Sequence, residues 1–361
     1  MKRPYLYNVS IVQTTEQISL KACCHLRREQ TEGFFDKELD QLEGSSPVES
    51  LNLLRGHKFQ FRIVIMNQLR QKIYEKIYDS DRFGNLNASI NQLRLNNDEP
   101  SYIEIFEISF CPGLHLNLGA FIPLKIENPK KVIISDFDKT LVDTRYSTTK
   151  ELFYSIVKPV DYFPTIEKSV ELLKSYVQKG FQPFILSASP HFYENAIRDW
   201  LYQKEIYSAG VFLKDYRKVF SFIEGDLYPK DIKSQGFYKL NQLVDILLMT
   251  GIPKELVLMG DGFESDSFIY LLLEKLLVEK EEPWSLWRKV RQEDAFKLRS
   301  KQNSTFLNKL YQLANLIQAQ DPEVGETQVK IYIRYREEAP IIHLPLAELN
   351  ERKELINFFQ A

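Results

Sequence analysis

The sequence predicts an α/β chain: a doubly wound parallel sheet, preceded by a small β-sandwich-like domain and carrying a helical insertion before its last strand. Three observations carry that expectation. Val132-Ile133-Ile134, Pro183-Phe184-Ile185-Leu186 and Leu256-Val257-Leu258-Met259 are short unbroken apolar runs, the pattern of strands buried on both faces. Helix-like stretches near 149–157, 166–179, 191–203, 239–250 and 267–279 alternate with them, which implies right-handed crossovers between parallel strands. Ahead of Lys130 the pattern is different, with short strand-like runs and no strong helix between them.

In chain order, residues 5–25 alternate apolar and polar side chains (Tyr5, Tyr7, Val9, Ile11, then Ile18 and Leu20), as in one or two half-buried strands. Residues 29–54 are polar, with a break at Gly44-Ser45-Ser46-Pro47. Strand character returns at 57–66, 74–78 and 102–109, and Asp79-Ser80-Asp81-Arg82-Phe83-Gly84 reads as a turn. These runs set an N-terminal β-rich domain over 1–127 and an α/β domain over 128–361. The helical insertion occupies about 280–327, and a last strand, Val329 to Arg334, closes the sheet.

The 361 residues leave room for both domains, and 44% hydrophobic with 27% charged residues is the balance of a globular protein. Lys and Arg number 47 against 49 Asp and Glu, which argues against a nucleic-acid binder working through bulk positive charge. Cys23 and Cys24 are adjacent and Cys111 stands alone, so neither a disulfide framework nor a metal-type spacing is present. Reduced thiols, and the lack of a signal peptide or a long apolar run, predict a soluble cytoplasmic protein whose membrane contact is peripheral at most.

Each apolar run ends in polar residues at its carboxyl end, the edge where open α/β sheets bind ligands. The first gives Asp136-Phe137-Asp138-Lys139-Thr140. Once the strand turns into a loop, Asp136 and Asp138 can converge, and a divalent cation such as magnesium relieves their repulsion. The cation also offsets the charge of a phosphate approached by a carboxylate nucleophile. The second ends in Ser187-Ala188-Ser189-Pro190, donors for a phosphoryl oxygen beside a helix start near His191. The third ends in Gly260-Asp261-Gly262-Phe263-Glu264-Ser265-Asp266, which supplies further metal ligands, and Lys239 precedes that strand on a helix.

These pieces, in this order, resemble the four motifs of the haloacid dehalogenase-like (HAD) phosphatases. Within that superfamily the chain is most similar to the actin-patch phosphatidate phosphatase catalytic-domain family. The similarity rests on Ile134 to Thr140, Leu186 to Pro190, Gly210-Val211-Phe212-Leu213, Gly260-Asp261 with Asp266 and Tyr270, and Ile331 to Arg334. It extends over about residues 55–335 and is dense only in 131–270. The chain departs from the family at Lys139, usually an aspartate, at Gly262, often a serine, and in the insertion. The resemblance implies a Rossmann-like core and a set of roles. Asp136 is the nucleophile and Asp138 the general acid and base. Thr140 completes the aspartate motif, and Ser187, Ser189 and Lys239 hold the phosphoryl group. Magnesium lies among Asp136, Asp138 (through its carbonyl), Asp261 and Asp266. It also implies a phosphatidate-like lipid phosphate as substrate, met at a membrane surface.

Other readings compete. Ser187 is also placed as a helix N-cap, Asp266 as a cap for the helix it opens, Lys230 or Lys233 as alternatives to Lys239, and His191 as a structural histidine. Trp284 and Trp287, among Lys280, Arg288, Lys289 and Arg291, suit either an interfacial helix or a helix packed on the core. The same catalytic set would serve a phosphatase of a soluble metabolite or phosphoprotein. A non-catalytic module working through the β domain would not need that set.

Overall fold

The computed structural model describes residues 2–28, 56–95, 98–144, 160–215, 235–293, 295–296, 300–320, 325–336, 344 and 346–360. The expected helix near 149–157, the break at 44–47, Lys230 and Lys233 lie outside those residues.

Two four-stranded sheets form the N-terminal part. One is built from β1 (Lys2–Gln13), β2 (Gln17–Arg28), β5 (Asn85–Asn91) and β8 (Leu124–Lys125), in the order β5-β2-β1-β8. The other is β3 (Gln60–Asn67), β4 (Lys72–Asp79), β6 (Pro100–Glu107) and β7 (Leu116–Phe121), in the order β4-β3-β6-β7. Alternate residues of β3, Phe61, Ile63 and Ile65, meet Ile18, Leu20 and Leu86 of the facing sheet in one apolar cluster. The turn before β5 is pinned by Asp81, whose Oδ1 accepts the N–H groups of Phe83 (2.8 Å) and Asn85 (2.9 Å). Gly84 is required there: its φ is +81°, and a Cβ would lie 2.1 Å from the Cys24 carbonyl oxygen. The one or two strands expected over residues 5–25 are β1 and β2, and the expected runs at 57–66, 74–78 and 102–109 fall on β3, β4 and β6, whereas β5, β7 and β8 lie outside the expected runs.

The α/β part is built on one sheet of six parallel strands: β9 (Lys131–Asp136), β10 (Gln182–Pro190), β11 (Gly210–Lys214), β12 (Glu255–Asp261), β13 (Gln328–Tyr335) and β14 (Ile356–Gln360). Their order is β11-β10-β9-β12-β13-β14. The apolar runs are unbroken because each residue faces one of two cores. Val132, Ile134, Phe184, Leu186, Leu256 and Leu258 pack with α3 (Gln235–Thr250) and α4 (Asp266–Val278). Ile133, Ile185, Val257 and Met259 pack with α1 (Glu167–Gln178) and α2 (Glu194–Gln203) on the opposite face. The chain builds outward from β9 through β10 to β11, then returns to the other side of β9 with β12. The direction therefore reverses at β9/β12, and the carboxyl ends of those strands are the edge where open α/β sheets bind ligands. β14 extends the sheet one strand past the expected last one.

The insertion is helical, with α5 (Pro283–Val290) and α6 (Ser300–Gln318). Pro283 occupies the first turn of α5, and the Glu282 carboxylate caps the Trp284 and Ser285 N–H groups. Trp287 is buried among Phe237, Phe296 and Phe306, so it belongs to the core. Trp284 packs partly buried beside it, with the Arg291 guanidinium 5.1 Å from its ring centroid. No helix among the described residues is long and apolar enough to cross a membrane.

Asp245 of α3 joins three parts of the chain. Its carboxylate accepts from Lys21 of β2 at 3.3 Å and from Lys309 of α6 at 2.6 Å. Burial alone would raise its pKa; the two lysines outweigh that and hold it below the ordinary 3.8. Because the folded-state pKa is depressed, the stabilisation is present above pH ~4 and is lost as pH falls through the folded value. Asp245→Asn is expected to cost about 1–2 kcal/mol in urea unfolding at neutral pH, with the difference from wild type shrinking in acid. Trp287→Ala, which empties a packed core site, is expected to cost about 3–5 kcal/mol by the same measurement. An unchanged urea midpoint would contradict the packing role.

Candidate active site

β9 ends at Asp136, and the chain then curls tightly, with the N–H groups of Leu141 (2.9 Å) and Val142 (3.2 Å) both donating to the Phe137 carbonyl. Lys139 takes a left-handed conformation, φ 59°, inside this curl. The turn sends the two aspartates different ways. Asp136 Oδ2 lies 3.3 Å from Lys239 Nζ and accepts from Thr140 Oγ1 at 3.3 Å. The Asp138 carboxylate is directed toward β10, where its Oδ2 accepts from Ser187 Oγ (2.6 Å) and Ser189 Oγ (2.7 Å). Ser187 Oγ also accepts the Ser189 N–H at 2.9 Å. Both hydroxyls read in the sequence as phosphoryl ligands therefore rest on Asp138 in this structure.

β12 ends at Asp261, whose Oδ1 accepts the N–H groups of Phe263 (2.6 Å) and Glu264 (2.9 Å) and so rigidifies the following loop. Asp266 opens α4; its Oδ2 accepts the Asp261 N–H at 3.2 Å and its Oδ1 accepts from Lys239 at 2.6 Å. This approach needs Gly260, since a Cβ there would lie 2.4 Å from Asp266 Oδ2. Lys239, one turn into α3, is about 1% exposed and touches Asp136, Glu264 (3.0 Å) and Asp266.

One carboxylate oxygen from each of Asp136, Asp261 and Asp266 lies within 4.8 Å of the others. Asp136 Oδ1 and Asp261 Oδ2 are buried with no hydrogen-bond partner among the described residues. With the partly buried Glu264, four carboxylates share two lysines, Lys239 and Lys139, so the cluster is short of positive charge when all four are ionised. Burial drives Asp136 well above the ordinary carboxylate range; Lys239 opposes this, while Asp266, Asp261 and Glu264 add to it. Burial, Glu264 and Asp266 push Asp261 up to about 8. Asp266 is raised by burial against the pull of Lys239. Burial would lower Lys239, but Asp136, Asp266 and Glu264 hold it well above its usual value. Hard carboxylate oxygens, two of them buried and unsatisfied, fit a divalent cation such as magnesium.

Three participants were not singled out in the sequence. Glu264 bridges Lys139 (3.1 Å) and Lys239, and burial, which would raise its pKa, is outweighed by those two lysines. It lies inside the Gly260–Asp266 segment, so its position, though not its partners, was legible. Arg334 of β13 reaches across β12 to donate to the Lys139 carbonyl (2.8 Å) and to Asp143 Oδ1 (3.2 Å). Arg336 donates to the same Asp143 oxygen at 2.6 Å. His191 is buried, with its ring 5.6 Å from that of Tyr7 and its Nδ1 3.7 Å from Asp215 Oδ1.

The carboxylate cluster at a parallel-sheet switch point, countered by a helix lysine, is a site that could hold a metal ion. Residues 131–277, less than half of the chain, match the family model described as the catalytic domain of phosphatidate phosphatase APP1. That segment contains every candidate catalytic and metal-binding residue named above. No curated protein matches the chain.

Among solved structures, β-glucuronidase from Bifidobacterium dentium, complexed with coumarin-3-O-glucuronide, is 8% identical, over 92% of this chain and 45% of that one, with a TM-score of 0.25. β-Glucuronidase 2 of Bacteroides uniformis, in a calcium-binding mutant form, is 11% identical over 92% and 33%, at 0.21. β-Glucuronidase of Parabacteroides merdae is 8% identical over 92% and 35%, at 0.25. The chain spans less than half the length of these proteins, and likeness at such scores carries nothing about fold or chemistry.

Lys239→Met removes a cation in contact with three buried carboxylates. It is expected to lower stability by about 3–5 kcal/mol in urea unfolding without added metal. An unchanged midpoint would mean that the carboxylates are neutral without the lysine.

Proposed function

We propose that the protein is a magnesium-dependent phosphomonoesterase working through an aspartyl-phosphate on Asp136, of the HAD type, with phosphatidate-like lipid phosphates as substrates. The observation that carries the chemistry is the buried Asp136 Oδ1, an unpartnered carboxylate oxygen beside Lys239, Asp261 and Asp266. The match of residues 131–277 to a phosphatidate phosphatase catalytic domain supports the substrate class.

Asp136 attacks phosphorus in line, and the substrate's ester oxygen leaves with a proton from Asp138. Water then attacks the aspartyl-phosphate, passes a proton to Asp138, and phosphate departs. Ser187 and Ser189 orient the Asp138 carboxyl through their bonds to its Oδ2, and rotate toward the phosphoryl oxygens as substrate enters. Lys239 holds Asp136 and offsets charge on the transferring group. Asp136, Asp261, Asp266 and the Asp138 carbonyl would hold magnesium. Bound there, it supplies the charge neutralisation that lets a carboxylate meet a phosphate dianion. The reading places this chemistry in 128–361 and gives the sandwich of residues 1–127 the task of meeting a membrane surface from the cytoplasm.

Asp136→Asn is expected to abolish hydrolysis of para-nitrophenyl phosphate, and a tenth of wild-type turnover surviving would sink the nucleophile assignment. Magnesium is expected to raise the melting temperature of wild type but not of Asp261→Asn, because ligand binding to the folded state alone stabilises it. An equal shift in both proteins would place the metal elsewhere.

A further inference from the structure

Phe263 follows the metal-cluster residue Asp261 by two positions, and its N–H is bound to the Asp261 carboxylate at 2.6 Å. The backbone there is fixed, yet the ring is 50% exposed, beside a site otherwise made of buried charge. It is not a loosely held side chain. The Arg336 guanidinium lies 4.9 Å from its ring centroid, close enough for a cation–π contact.

Arg336 is itself pinned. Its Nη2 donates to Asp143 Oδ1, which also takes Arg334 Nη1, and Arg334 holds the Lys139 carbonyl between Asp138 and Thr140. The chain of contacts Lys139–Arg334–Asp143–Arg336–Phe263 therefore fixes an aromatic ring and a guanidinium to the loop that carries the nucleophile. The Arg336 side chain is 36% exposed although its Nη2 is bound to Asp143, so part of the guanidinium stays open to a further acceptor. Arg334 and Arg336 meet on one Asp143 oxygen, so that carboxylate is shared between two guanidinium groups.

We propose that Phe263 and Arg336 form the substrate-recognition lip of the site, which grips the non-phosphate part of an amphiphilic phosphomonoester. This rests on the phosphatase reading above and deepens it. The lip presents an apolar face and a cationic donor side by side. An acylglycerol phosphate offers the matching pair: apolar chains for the ring and ester carbonyl oxygens for the guanidinium. A sugar phosphate has acceptors but no apolar body, so the lip discriminates against it.

The test is steady-state kinetics of the full chain with magnesium, on dioctanoyl phosphatidate and on para-nitrophenyl phosphate. Phe263→Ala and Arg336→Gln are each expected to raise KM for phosphatidate about tenfold, the size of effect one lost pocket contact produces. The ratio of kcat/KM for phosphatidate to that for the aryl ester falls with it, while kcat on phosphatidate changes little, as for a group that binds ground and transition states alike. Phe358→Ala, at a half-exposed ring on β14 of the same sheet, leaves the ratio unchanged. If Phe263→Ala does not fold, Phe263→Leu and Arg336→Gln read the same ratio.

An unchanged ratio, or a loss confined to kcat, overturns the lip while leaving the phosphatase reading intact. A wild type that cleaves only the aryl ester overturns the lip as an acyl-binding element and the lipid substrate together, and leaves the aspartyl-phosphate chemistry. A wild type that cleaves neither removes both proposals.

Discussion

The constraint on which this structure depends is the crowding of like charge at one strand edge. Asp136, Asp261, Asp266 and Glu264 are all drawn out of water within reach of a single ammonium group, that of Lys239. Buried carboxylates that close repel one another, and burial alone disfavours their charged forms. They persist in this arrangement only because Lys239 and Lys139 are held among them and because the backbone donates to them, through the N–H groups of Asp261, Phe263 and Glu264. An unpaired oxygen on Asp136 and another on Asp261 mark where that compensation stops. Function is expected where a fold tolerates such a deficit.

Strand order brings these charges together. Asp136 and Asp261 are far apart in sequence but end neighbouring strands, with Ser135 of β9 opposite Met259 of β12. Each strand carries a buried apolar run, Val132–Ile134 in β9 and Leu256–Met259 in β12, and its acidic loop follows at the carboxyl edge. The adjoining strand β10 contributes the serines that take Asp138, which separates the two aspartates of one loop into different environments. One carboxylate faces the cluster and the other is hydrogen-bonded by hydroxyl groups. That is the division a nucleophile and a proton carrier require.

Much of this was legible because the signals are local. The runs at 132–134, 183–186 and 256–259 announce doubly buried strands by composition alone, and the acidic loops follow directly from them. β5 was missed because its core residues, Leu86, Ala88 and Ile90, are separated by Asn and Ser, a weak alternation that turn chemistry resembles. β14 buries only Ile356 and sits at the sheet edge, so its pattern carries little burial signal. Contacts across long separations were not readable at all. Lys139 and Glu264 are 125 positions apart, and Arg334 reaches the Lys139 carbonyl across 195. The family comparison reaches residue 277, so neither Arg334 nor the insertion falls within it.

The two parts of the chain outside that match are tied to Lys239 through one helix. α3 carries Lys239 near its start, and a turn and a half further on Asp245 takes Lys21 from the sandwich and Lys309 from the insertion. Gln17 of β2 also donates to the Leu248 carbonyl near the end of α3. β1 lies along the outer edge strand β11, where Ser10 Oγ donates to the Ala209 carbonyl and Gly210 leaves room for the approach. An exposed edge strand is a liability that this contact covers. The ammonium of Lys239 must stay within about 3 Å of three carboxylates to offset them, a tolerance that a helix held on one side only would not keep. Clamping α3 between the sandwich and α6 holds that geometry, so both additions act on the charge balance of the site without touching it.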